Sequence, residues 1–493
     1  MGDMPLLTSI LLCPTAGLIL VLLVPGRAVQ AIRCISALSA LASSLLSLQL
    51  WRAYDTTAGG FQFVEIIPWV HEVGISYHLA VDGFSTILVM LNSLVFLTGV
   101  LTMWDLDVRV KEFFAFMLLL VIGVYGVFLT QDLFFFFLFY EIAVVPMYPL
   151  ILIWGSGNRE YAAMKLMLFL LAGSALLFPA LLSIYHESGL GTFNMILLAQ
   201  KAFDPEFQIF VYPFVFLGFG VLAGMFPFHG WSPTGHVAAP SAVSMLHAGV
   251  LMKLGAYGIL AVGIRLLPDG AVFWAPTFAT LAAIGVVYGA FIAMRQTDFK
   301  FVIGFSSVSH MGIVVLGLNL AVLGQAGQDA LNGAVFQMFA HGIMTALLFS
   351  TVGFIYDRAH SKTIADFGGL GSQMPRAVSV FILAGLCGAG VPGLASFWAE
   401  MLVFLAALKT YPWMGVAIIV GLVFTAIYIL RVFSMAFFGP VNSQWDGLRA
   451  MDLKGWQLLP RAILVAVLLL FGFFPRMLLD VIDGTTTTML AAF

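Results

Sequence analysis

Five ionisable side chains stand where the surrounding sequence is almost wholly apolar. Glu141 is the one carboxylate in FFFFLFYEIAVVPMYPLILIW, residues 134–154. Lys253 lies within SMLHAGVLMKLGAYGIL, Glu400 follows a run rich in glycine and proline, and His310 and His341 occupy two further apolar stretches. A charge at the centre of a membrane helix costs about 2.5–3.5 kcal/mol on insertion scales, so it ordinarily faces a partner or a water-filled path. Carboxylate, amine and imidazole groups whose pKa values are moved by burial and by neighbours can pass protons on through waters. In a low dielectric, a change of charge at one group also biases the next. These residues therefore point to a proton relay through a membrane. The plainer reading of Glu141 and Lys253 is a structural ion pair, and that of a lone buried histidine is a hydrogen-bonded packing residue. His229, His236 and His247, on or next to an interrupted span, and Lys165 are further groups for either role, whereas Arg431, near the middle of a later span, reads as structural.

Other chemistries lack their residues. The histidines fall on separate spans without chelating spacing and without cysteines beside them, so no metal site is expected. Cys13, Cys34 and Cys387 are too few for an iron–sulfur cluster and read as small buried residues. No nucleophile elbow supports Ser/His/Asp hydrolysis. The glycines of GFGVLAG, 218–224, lie inside an apolar run, where they allow close helix packing and not nucleotide binding.

The elements that must position these groups follow from composition. Of 493 residues, 61% are apolar or aromatic and 9% charged, against roughly 25% charged in a soluble domain. A soluble globular protein is excluded. Segments long enough to cross a hydrocarbon core recur about fourteen times, near 6–25, 31–51, 83–104, 113–130, 133–154, 163–185, 209–227, 240–264, 272–294, 301–323, 331–355, 378–408, 412–438 and 460–482. The first has neither a basic leader nor a small-residue cleavage site, so it reads as a retained helix. With the N-terminus outside, the inner loops collect Arg27, Arg33, Arg109, Lys111, Arg159, Lys165, Arg295, Lys300, Arg358, Lys362, Arg376, Arg449, Lys454 and Arg461. The outer loops hold only Arg52, Lys201, Arg265, Lys409 and Arg476. This bias places both termini on the outer side.

The expected fold is an all-α polytopic membrane protein, one membrane domain over residues 1–493. It divides into N-terminal helices 1–3 (1–108), a first five-helix repeat (109–268), a second, inverted repeat (269–440) and helix 14 (441–493). Glycine and proline interrupt the seventh and twelfth spans, in FGFGVLAGMFPFHGWSPTGHVAAP (217–240) and LAGLCGAGVPGLASFWAEMLVF (383–404). Each is the fourth member of its repeat, and an odd repeat length inverts the second copy. Broken helices at matching positions mark transporters built on inverted repeats. The connection 52–82 alternates in a way that suits a short hairpin.

Several segments together resemble the antiporter-like subunits of the proton-pumping NADH–quinone oxidoreductase, respiratory complex I, and among them subunit M (chain 4). These are YHLAVDGFS (77–85), FYEIAVVPMYPLI (139–151), HGWSPTGHVAAPSAVSMLHAGVLMKLGAYG (229–258), QTDFKFVIGFSSVSHMG (296–312), FAHGIMTALLF (339–349) and FWAEM (397–401). The resemblance implies a proton-translocating subunit of a quinone-reducing translocase, with no redox site of its own. It assigns Glu141, Lys253, His310, His341 and Glu400 to the relay, with Glu400 on the exit side. It places NADH, FMN, iron–sulfur clusters and quinone on partner subunits. The expected partners are the antiporter-like subunits L and N, a lateral helix from L, and peripheral redox subunits, with no nucleic acid. The expected setting is the bacterial cytoplasmic (inner) membrane. Two departures stand out. The lysine usual in the seventh helix is missing around Leu222, Ala223 and Gly224, and Thr234 stands where an aspartate is usual. Glu141 thus lacks its expected basic partner: either Lys165, His229, His236 or Lys253 replaces it, or the half-channel around Glu141 works differently. The alternatives are an Mrp-type Na⁺/H⁺ antiporter subunit and a scaffold that has lost pumping.

Overall fold

Proline, aspartate and glycine set where the helices start and stop. The computed structural model describes residues 5–324, 326–445, 447–491 and 493. Its helices are α1 (Leu6–Leu23), α2 (Val29–Ala53), α3 (Gly83–Thr102), α4 (Val110–Leu129), α5 (Leu133–Trp154) and α6 (Arg159–Ser188). Then follow α7a (Pro205–Ala223), α7b (Trp231–Ala238), α8 (Ser241–Ile264), α9 (Pro268–Arg295), α10 (Phe299–Leu320) and α11 (Gly327–Ala359). The chain ends with α12a (Pro375–Gly388), α12b (Ala395–Thr410), α13 (Pro412–Phe437), α14 (Gly455–Phe473) and α15 (Arg476–Leu490). Proline opens α7a, α9, α12a and α13, where its missing N–H costs nothing. Asp82, Asp132 and Asp298 cap α3, α5 and α10 by accepting from the first free N–H groups.

Among the described residues, thirteen helices are long and apolar enough to cross a membrane. The broken pair α12a and α12b completes the expected fourteen. Burial sorts them: the apolar windows of α8 and α11 are 100% buried and that of α10 is 89%, against 33% for α1, α2 and α14. The first three form the centre, and the last three face outward with exposed leucines such as Leu23, Leu38 and Leu459.

The interruptions lie where glycine and proline placed them. Residues 224–230 separate α7a from α7b, and 389–394 separate α12a from α12b. The two broken helices run in opposite directions between the faces of the bundle, as the odd number of steps between them requires. The hairpin also forms, from β1 (Gln62–Val70) and β2 (Ile75–Val81). Its Glu65 carboxylate accepts from Leu7 N at 2.9 Å and Thr8 N at 3.0 Å, capping α1 from a distant strand. Gly74, at φ 69° in the turn, packs so closely on Gly191 O that a side chain would collide with it.

Three expectations are corrected. The fourteenth span ends at Phe473, because Pro475 disfavours helix in the residue before it. The following residues make the separate amphipathic helix α15, which packs on α3 and α11 and whose Thr485 hydroxyl accepts from Gly83 N at 2.8 Å. Arg431 lies near the end of α13, not in its middle, and its guanidinium donates to Gln296 O in the α9–α10 loop. Cys34 is exposed on α2 and Cys13 half-buried, and only Cys387 is buried.

Candidate functional site

Lys253, His341, His310 and Glu400 come together although they are spread over 148 residues of sequence. Each of the first three sits near the midpoint of its helix, in α8, α11 and α10 respectively. Glu400 lies in the second turn of α12b, just past the break. All four are at most 2% exposed.

The contacts form a row. Lys253 Nζ donates to Ala248 O and lies 2.6 Å from His341 Nδ1. The rings of His341 and His310 are 5.3 Å apart between centroids. His310 Nδ1 faces Ser306 O at 2.8 Å, and its Nε2 faces Gly388 O at 3.1 Å and Glu400 Oε1 at 3.4 Å. Gly388 O is available because α12a ends there. The helix break thus supplies an acceptor to the histidine, as well as a bend.

An ammonium has three donors and no acceptor, so Lys253 can only donate to His341 Nδ1, which fixes the proton of neutral His341 on Nε2. That Nε2 is buried without a hydrogen-bond partner. Both nitrogens of His310 face oxygens, so the imidazolium satisfies every contact its ring makes. Glu400 Oε1 also accepts from Gln337 Nε2 at 3.3 Å, whereas Oε2 is buried and unpartnered. Gly390, in the break at φ 68°, lies so close that a Cβ there would stand 2.7 Å from Oε2.

A second cluster adjoins the first. His236 of α7b and His247 of α8 have ring centroids 4.1 Å apart, and His247 stacks on Trp231 at 5.0 Å. Ser232 Oγ lies 3.1 Å from His236 Nε2, while His236 Nδ1 and both nitrogens of His247 are unpartnered. His229 sits in the break before α7b, packed against Tyr288 at 5.1 Å. The C-terminal end of α7b is held by three separate elements. Lys362 Nζ donates to Val237 O at 3.2 Å, Ser156 N to Ala238 O at 2.8 Å and Lys300 Nζ to Ala239 O at 2.7 Å. Cations at a helix C-terminus also oppose its dipole. Beside them, burial raises the Asp298 carboxyl, partly offset by Lys362, and burial lowers Lys362.

Glu141 is separate from this row. It is half-buried on α5, and its Oε1 accepts from Ser174 Oγ of α6 at 2.5 Å. Among the described residues it has no ion-pair partner. Lys165 points elsewhere: its Nζ donates to Thr234 Oγ1 at 3.2 Å, at the start of α7b. Along α6, Ser174 lies nine positions after Lys165, about 13 Å of helix rise.

Sequence reasoning missed Gln337, Lys300 and two π-helical turns, His247–Leu251 and Ile259–Ile264, which flank Lys253 in α8. Gln337 had a signal, lying four residues before His341 and so on the same helix face. Turns of the π type concentrate at functional sites, but no residue pattern here announced them.

Comparison with known proteins identifies the family and the fold. The family described as NADH:quinone oxidoreductase/Mrp antiporter, TM, matches residues 130–425. The chain is 35% identical to NAD(P)H-quinone oxidoreductase chain 4 1 of Synechococcus elongatus, over 99% of this chain and 92% of the relative. Among solved structures, a chain of respiratory complex I from Thermus thermophilus with bound NADH superposes with a TM-score of 0.88 at 27% identity, covering 99% of this chain and 100% of that one. A chain of the Mrp complex from Dietzia sp. DQ12-45-1b shares the fold, with a TM-score of 0.80 at 21% identity over 99% of this chain and 96% of its own.

Proposed function

The chain belongs to the NADH:quinone oxidoreductase/Mrp antiporter membrane family, and on that premise we propose that it carries protons across the membrane along Lys253, His341, His310 and Glu400. It is an antiporter-like subunit of a complex I-type quinone oxidoreductase. Mrp antiport is the weaker reading, because the likeness to that complex is one of fold. The observation that carries the proposal is the row itself: four titratable groups from four helices, side by side, three near their helix midpoints and Glu400 just past a helix break.

The hydrogen bonds give the row an order of events. His310 already donates from both nitrogens, so it must first release the Nε2 proton to Glu400 before it can receive another. Lys253 then passes a proton to His341 Nδ1, and the imidazolium so formed hands its Nε2 proton to the neutral His310 ring through a water or a small ring rotation, leaving Lys253 as the neutral amine that takes up the next proton. Each transfer moves a charge within a low dielectric and alters the next step. Glu400 takes the proton on Oε1 and releases it once the carboxyl group has turned, a turn that breaks no hydrogen bond at the unpartnered Oε2. Glu141 serves as a loading site in the first half. In this reading Ser174 orients its carboxylate, and Lys165 acts on α7b without pairing with Glu141.

Redox energy comes from partner chains. NADH or another donor, FMN, iron–sulfur clusters and quinone belong to those chains, with antiporter-like subunits L and N and a lateral helix of L as membrane neighbours. The setting is the bacterial cytoplasmic membrane with both termini outside, which the charge bias and the cyanobacterial relatives support. The test is proton uptake by membrane vesicles measured beside donor:quinone turnover in the assembled complex. Lys253→Met and Glu141→Gln should each abolish uptake, with or without loss of turnover. Uptake and turnover at wild-type levels in Lys253→Met would remove the row from the proton path, and the same result in Glu141→Gln would make that carboxylate structural.

A further inference from the structure

Away from the relay, a cavity of about 870 Å³ opens between the ends of α3, α11 and α14, within the size range of small-ligand sites. It is lined by Arg461, a guanidinium only 3% exposed. Its Nη1 donates to Gln457 O at 2.7 Å and its Nη2 to Ser350 O at 2.5 Å, while Nε is buried and has no partner. Among the described residues Arg461 forms no ion pair. Its hydrogen bonds reach carbonyls alone, and the charge of Asp357 acts on it only from beyond ion-pair distance, so among the described residues no anion touches this buried cation.

Arg358 lies beside it. Both guanidinium groups stand over the ring of Phe354, at 3.4 Å for Arg358 and 5.0 Å for Arg461. Two cations on one ring repel unless an anion answers them. Asp452, also in the lining, does not serve: its carboxylate accepts from the N–H groups of Arg376, Ala377 and Leu453, closing the start of α12a. Asp105 and Asp357 are exposed in the same cavity. Trp456 is 42% exposed there and faces Trp104 at 6.4 Å. Exposed tryptophans of this kind mark the headgroup level of a bilayer.

We propose that this cavity binds the headgroup of phosphatidylethanolamine, with its phosphate on Arg461 and Arg358 and its ammonium arm between Asp105 and Asp357. Basic pockets between membrane helices bind lipid phosphates. Lys454 lines the cavity too, and the two exposed carboxylates select a headgroup that ends in a cation, because an ammonium makes charge-assisted hydrogen bonds to them that a glycerol end does not.

The test uses the assembled complex, delipidated stepwise and then exposed to vesicles of mixed phosphatidylethanolamine and phosphatidylglycerol, with retained lipid measured by mass spectrometry. Wild type should hold a phosphatidylethanolamine that resists delipidation, and Arg461→Gln should lose it. Asp105→Asn, at an exposed position, should exchange that preference for phosphatidylglycerol. Equal retention in wild type and Arg461→Gln overturns the site. Displacement of the lipid by inorganic phosphate alone overturns the lipid as its occupant. Should Arg461→Gln fail to assemble, the competition in Asp105→Asn decides, and an unchanged preference overturns the proposal.

Discussion

At the scale of residues, His341 is the junction. It is the sole side chain within hydrogen-bond distance of Lys253 Nζ among the described residues, its far nitrogen has no partner, and its ring centroid lies 5.3 Å from that of His310. His341→Phe keeps the bulk and removes both nitrogens, leaving Lys253 with Ala248 O alone. Proton uptake should fall by roughly 10²-fold, the lower end of what a positioned proton-transfer group contributes, while the complex still assembles on a native gel. Gly390→Ala acts on the other end of the row. The positive φ and the crowding at Glu400 Oε2 should cost about 1–3 kcal/mol in strain, read as a lower melting temperature together with slowed uptake. The types of these groups were legible, since each is a costly charge or imidazole in an apolar run. Their pairing was not, because Lys253 and His341 are 88 residues apart and nothing in spacing joins them. Glu141 shows the converse: its partner is a serine hydroxyl, a residue too common in membrane helices to single out.

At the scale of elements, the breaks in α7 and α12 were legible because glycine and proline cluster there, whereas the single prolines Pro14, Pro179, Pro213 and Pro276 stay inside continuous helices. The π-turns of α8 were not, because HAGVL and ILAVGI contain nothing that an ordinary helix would refuse. The end of α14 could have been read from Pro475, but the apolar stretch on either side of it masked the stop. The anchoring of α7b was also invisible, since Lys300 and Lys362 read as ordinary basic loop residues. Lys300 is 3% exposed and reaches Ala239 O from the first turn of α10. Lys300→Met keeps the chain length and strips the donor, so the carbonyl is left bare at a cost of about 1–3 kcal/mol. Thermal unfolding of the assembled complex should shift accordingly. A larger loss of proton uptake than of stability would show that α7b must be held for His236 to stay against His247.

At the scale of the molecule, the loop contacts of the described residues sort onto two faces. Arg33 reaches Leu106 O, Lys111 reaches Leu22 O, Arg358 reaches Met451 O and Lys362 reaches Ser156, all on the face rich in basic residues. The hairpin, the Asp82–Arg265 pair at 2.6 Å and the Asp329–Lys409 pair at 3.2 Å share the other. This alternation was legible from the positive charges alone. With the termini outside, a cysteine placed at exposed His71 in the hairpin should react with a membrane-impermeant maleimide in whole cells, and one at exposed Asp105 should react only after lysis. The reverse pattern would invert the orientation. The triple anchoring of α7b has a further consequence for how such chains can be rebuilt. Ser156 belongs to the first half, and Lys300 and Lys362 to the second, yet all three close the same helix end. The two halves are therefore not interchangeable cassettes. A chimera joining the first half of one relative to the second half of another inherits a mismatched joint unless these positions travel together, however well each half is kept intact.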